Sequence, residues 1–120
     1  MKTFEKDGRI NFVDENNVLV GFDYQGSCCE NFGHMITKEI PTQIEDGIKI
    51  DEEKYRFDPS VRVMNSLTDC DDGGSVTFRL VNQDDCEDAV YLTLYNSQNG
   101  YYGHGFEVKN GDEIVAEGSL

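Results

Sequence analysis

In 120 residues the chain sets 24 Asp and Glu against 10 Lys and Arg, a formal net charge of −14. A field of that sign repels nucleic-acid backbones and anionic lipid headgroups, so direct binding to either is excluded from the expectations. An apolar fraction of 38%, with 11% aromatics, lies above that of chains that stay disordered, and the length suits one domain, residues 1–120, with an ordered but thin core.

The start, Met1-Lys2-Thr3-Phe4-Glu5, has no apolar stretch behind its charges, and no apolar run approaches the roughly 20 residues that cross a bilayer. The expected location is the cytoplasm. Reduced thiols suit that compartment for Cys28, Cys29, Cys70 and Cys86, and adjacent cysteines are poorly placed to bridge each other.

In chain order, 9–13 and 18–24 flank the polar Asp14-Glu15-Asn16-Asn17 and predict a hairpin. Residues 29–38 place Phe32, Met35 and Ile36 at helical spacing ahead of Pro41 and predict one short helix. Short strands are expected at 48–50 and 61–64. Strict alternation in 75–80 and 90–95, with Val76, Phe78, Leu80, Val90, Leu92 and Leu94 on one face, predicts an antiparallel pair joined by the polar 82–88. Asn99-Gly100 and Asn110-Gly111 tolerate the positive φ of tight turns and mark further reversals around 101–108 and 113–116. The glycines at 103 and 105 suggest a bulge or a close backbone approach in that third strand. The expected fold is α+β, mainly antiparallel β: a C-terminal four-strand meander from Ser75 onward plus the N-terminal hairpin, with one helix packed on the sheet.

The carboxylates gather in loops: Asp51-Glu52-Glu53, Asp69-Cys70-Asp71-Asp72, Asp84-Asp85-Cys86-Glu87-Asp88 and Asp112-Glu113. Between residues 69 and 88 seven acids face one base, Arg79. Asp69, Asp71, Asp72, Asp84, Asp85, Glu87 and Asp88 are the expected partner-binding residues, lying at opposite ends of one strand and so lining an edge. A row of carboxylates imitates a nucleic-acid backbone and attracts the basic groove of a nucleic-acid-binding protein. The same charges also serve as a solubilising surface, and that reading stays open.

No metal, cofactor or catalytic residue is expected. Asp69-Cys70-Asp71-Asp72-Gly73-Gly74 opens like a calcium loop but has Gly73 and Leu80 where that loop needs oxygen ligands. Cys28, Cys29, His34 and His104 could meet around zinc, yet no two cysteines stand two to four apart. A Cys/His metal-binding protein is therefore kept as an alternative. Tyr91, Tyr95, Tyr101 and Tyr102 are a candidate contact patch, since amphipathic aromatics suit interfaces.

Tyr24-Gln25-Gly26-Ser27-Cys28-Cys29-Glu30, followed by Asn96-Ser97-Gln98-Asn99-Gly100-Tyr101-Tyr102, resembles an uncharacterised family of small bacterial and phage proteins over residues 18–108. The chain departs from that pattern in having no Trp and in Gly103-His104 where the family more usually has Ser-Glu. The resemblance implies a phage or mobile-element origin and a shared site at Cys28, Cys29, Glu30, Asn99, Tyr101 and Tyr102. With the charge, it leads to the expectation of a small acidic non-enzymatic protein that inhibits a host nucleic-acid-handling defence protein, as anti-CRISPR proteins do. A housekeeping or structural domain is the other open reading.

Overall fold

The computed structural model describes residues 1–24, 32–68, 74–97 and 104–120. These form two antiparallel sheets packed face to face. The first holds β1 (Lys2–Lys6), β2 (Arg9–Val13), β3 (Val18–Asp23), β8 (Gly105–Asn110) and β9 (Glu113–Ser119), in that spatial order. The second runs β4 (Phe32–Thr37), β7 (Ala89–Asn96), β6 (Gly74–Asn82), β5 (Tyr55–Met64).

Alternation builds the core. Phe12, Val20, Phe22 and Phe106 face inward from the first sheet and meet Phe57, Val76, Phe78, Leu80, Leu92 and Leu94 of the second. The paired strands expected at 75–80 and 90–95 are present as β6 and β7, with Phe78 opposite Leu92. The 9–13 and 18–24 hairpin is β2 and β3, and Asn110-Gly111 does reverse the chain between β8 and β9, Gly111 supplying a φ of 64°.

Several expectations are corrected. The fold is β throughout rather than α+β: among the described residues the only helical element is the 3-10 turn Glu52–Lys54. Where a helix was expected, β4 runs as a strand on β7. Phe32, His34 and Ile36 point to the core side, while Gly33, Met35 and Thr37 are buried on the other face. A strand covered on both faces loses its alternation, so Phe32, Met35 and Ile36 imitate helical spacing.

The C-terminal meander is likewise divided between the sheets. β7 pairs with β4 and β6, whereas β8 pairs with β3 and β9. Crossing from one sheet to the other lets both faces of the core be built from this half of the chain. The irregularity in β8 and β9 falls between Val108 and Lys109 and not at Gly105, while Gly103 lies outside the described residues. Residues 48–50 are not a strand; they run beside β4, where the Ile48 amide donates to the Ile36 carbonyl at 2.7 Å. Residues 61–64 are the end of β5, after a register break at Asp58/Arg62 that accommodates Pro59 on an edge strand.

One strand was not foreseen. β1 pairs with β2 through the two-residue turn Asp7-Gly8, both at positive φ (56° and 75°). All five β1 residues are exposed, so no buried face announced it. Among the described residues no helix is long and apolar enough to cross a membrane.

Candidate functional site

The acidic loops meet at one end of the sandwich. Its keystone is Asp14, buried at the close of β2. Oδ1 accepts the Asn16 and Val18 amides at 3.0 and 2.9 Å, shaping the turn to β3, and Oδ2 reaches the opposite sheet to accept the Phe57 amide at 2.9 Å. The same turn leaves Glu15 exposed.

Further hydrogen bonds add the neighbouring loops. The Gln83 amide donates to the Lys54 carbonyl at 2.8 Å, joining the β6–β7 connection to the 3-10 turn. The Gly111 amide donates to the Asn17 carbonyl at 3.0 Å, joining the β8–β9 turn to the β2–β3 turn. The Met1 nitrogen donates to the Glu52 and Tyr55 carbonyls, and the Thr3 hydroxyl lies 3.0 Å from Glu52 Oε1. Glu15 and Glu53 line one open groove together with Lys2 and Gln83.

Within the β6–β7 connection the carboxylates divide into two kinds. Asp88 is structural: its Oδ2 accepts the Tyr55 hydroxyl at 2.9 Å and the Asn82 side-chain Nδ2 at 3.1 Å. Those two bonds, Asn82 first, hold its carboxyl below the usual range. Burial pushes the Tyr55 phenol up, and the bond to Asp88 adds to that rise. Asp85 Oδ1 accepts the Glu87 amide at 3.0 Å, and Asn82 Oδ1 accepts the Asp84 amide at 2.9 Å, so the turn is folded by its own polar side chains. Asp84, Asp85 and Glu87 stand exposed, and none of the ion pairs among the described residues engages them.

Of the expected partner-binding residues, then, Asp84, Asp85, Glu87 and Asp88 are all exposed, Asp88 with its carboxylate already engaged by Tyr55 and Asn82, while Asp69, Asp71 and Asp72 lie outside the described residues. The expected acidic edge is not what Asp84 to Asp88 belong to. β6 is an interior strand between β5 and β7, and its end joins the other loop ends instead. Glu15 and Glu53 were not singled out as partner-binding. Glu53 stands in a loop that reads as acidic and Glu15 in one that reads as a polar hairpin turn; the two come to one end through long-range bonds, Phe57 to Asp14 and Gln83 to Lys54.

The family-motif residues Cys28, Cys29, Glu30, Asn99, Tyr101 and Tyr102 also lie outside the described residues, as does Cys70. Cys86 is a free, exposed thiol. Tyr91 and Tyr95 are only half-exposed, and the Tyr95 hydroxyl is packed where a side chain at residue 33 would extend, which explains Gly33.

Both histidines belong to an aromatic cluster. His34 meets Phe12 edge-on at 5.3 Å and Tyr24 at 6.0 Å. Burial holds its imidazole below the ordinary value of 6.5, Glu52 pulling partly in the opposite direction. His104 is fully buried, stacked on Phe32 at 4.1 Å, with Nδ1 2.9 Å from the Asp23 carbonyl oxygen. Among the described residues no three His, Cys, Asp or Glu side chains are grouped to hold a metal ion. No protein-family model, curated protein or solved structure matches the chain.

Proposed function

We propose that this chain is a non-enzymatic binding protein whose acidic end engages a basic surface on a nucleic-acid-handling protein. The observation that carries the reading is the stitching of four acid-bearing loops, 14–17, 51–54, 82–88 and 111–112, into one end of the sandwich. Like charges brought together repel, and dispersing them over the surface relieves that cost. Their concentration on hydrogen-bonded turns supports a face whose backbone is held in shape for a cationic partner, which it attracts at long range and meets with its turns already ordered. Action against a host defence protein is the more specific form of this proposal, and it is supported by the sequence resemblance alone.

The test is affinity capture from host lysate with the wild-type chain and with the triple variant Asp84→Lys, Asp85→Lys, Glu87→Lys. The reading expects a basic partner retained at low salt, released as salt rises, and retained on the order of tenfold less by the variant. Capture indifferent to both salt and the variant would instead leave these acids as a solubilising surface.

A further inference from the structure

One patch of this strongly anionic molecule runs against its overall charge. On the outer face of the second sheet, β5 and β6 pair Asp58 with Arg79 and Arg56 with Val81. Directly opposed residues share a face, so Arg56 and Arg79 are diagonal neighbours with backbones about 7 Å apart. Tyr91 stands opposite Arg79 on β7, on the same face. Arg56, Asp58, Arg79, Val81 and Cys86 line one open groove of ≈ 360 Å³, backed by Pro59.

The single carboxylate in that groove leaves the guanidiniums largely uncompensated. Asp58 Oδ1 accepts the Ser60 amide at 3.1 Å and the Ser60 hydroxyl at 2.5 Å, whereas Oδ2 comes only to 3.7 Å from Arg79 Nη1. The Nε atoms of Arg56 and Arg79 are both buried without a hydrogen-bond partner. The Arg79 side chain nevertheless keeps 33% of its surface exposed. Two adjacent guanidiniums short of acceptors, at an open groove, present the planar donor fork that matches an oxyanion.

We propose that this groove is a binding site for an oxyanion, the phosphate or carboxylate group of a ligand held between Arg56 and Arg79. Ser60 holds Asp58 ionised, with Arg79 and Arg56 contributing, so the site carries two cations against one anion. The acidic β6–β7 connection, which reaches the groove at Cys86, repels anions at long range. Retention therefore depends on short, directional bonds to both arginines rather than on net charge.

The test is a titration of the isotope-labelled full chain with inorganic phosphate and, separately, with acetate, at constant ionic strength, following the arginine Nε–H resonances by NMR. The site predicts saturable shifts at Arg56 and Arg79 for at least one anion, with Arg9 and Arg62 as internal controls that stay still. Phosphate alone would mark a phosphate site and acetate alone a carboxylate site. Arg79→Gln should weaken the binding about tenfold or more, and Arg79→Lys should restore it only in part because it lacks the fork. Shifts that are linear, or equal at all four arginines for both anions, would overturn the proposal even if the substituted chains failed to fold.

Discussion

Asp14 shows how one carboxylate can be part of the scaffold while its neighbour is part of the surface. It accepts three backbone amides and bridges the two sheets, whereas Glu15 projects from the same turn. Asp14→Ala leaves those amides without their acceptor and is expected to cost roughly 3 kcal/mol in urea denaturation. Glu15→Ala should stay within about 0.5 kcal/mol of wild type, as an exposed substitution does. In the sequence the two acids stand side by side in a polar turn, and nothing there distinguishes them; the distinction comes from Phe57, forty-three positions away. His34 is a second residue whose role its surroundings decide. Because burial lowers its folded pKa beneath the ordinary 6.5, the unfolded chain takes up the proton first as pH falls. Its contribution therefore makes the fold lose stability on acidification from about pH 7, with the loss complete once pH lies below the folded pKa. His34→Phe keeps the ring packed against Phe12 and Tyr24, and thermal unfolding of that variant between about pH 7 and pH 5 should show a flatter pH dependence than wild type.

At the scale of elements, alternation was legible wherever one face of a strand is buried and the other is not. β2, β3, β6 and β7 were read from residues such as Val76, Phe78 and Leu80 for that reason. β4 escaped because both of its faces are covered, and β1 because neither is. The Asp7-Gly8 pair was the one local signal for β1, since Asp-Gly suits a two-residue hairpin turn. Assignment of β7 and β8 to different sheets had no local signal at all, being a matter of long-range pairing. The segment beside β4 depends on a single glycine. Gly47 has a φ of 75°, and a Cβ there would sit 2.7 Å from the Ile36 carbonyl oxygen. Gly47→Ala should therefore cost about 1–3 kcal/mol and speed hydrogen exchange of the Ile48 amide, whose bond to Ile36 it breaks.

Over the whole molecule, composition gave the sign of the field and the fold gives its shape. Turns distant in sequence, at 14–17, 82–88 and 111–112, come to one end because β2–β3, β6–β7 and β8–β9 all reverse there. The acids of 82–88 and 112–113 stand out as clusters in the sequence and 14–17 as a polar turn; their convergence does not, because it depends on β8 pairing with β3 and on the bonds from Phe57 to Asp14 and from Gln83 to Lys54. The most direct measurement of the proposed binding face is zero-length carboxylate-to-amine crosslinking in the native cell, mapped by mass spectrometry. Crosslinks from Glu15, Glu53, Asp84, Asp85 and Glu87 to lysines of one basic protein are the predicted result. Crosslinks to that protein confined to acids elsewhere, such as Glu5 and Glu117, would contradict the assignment of the acidic end as the binding face.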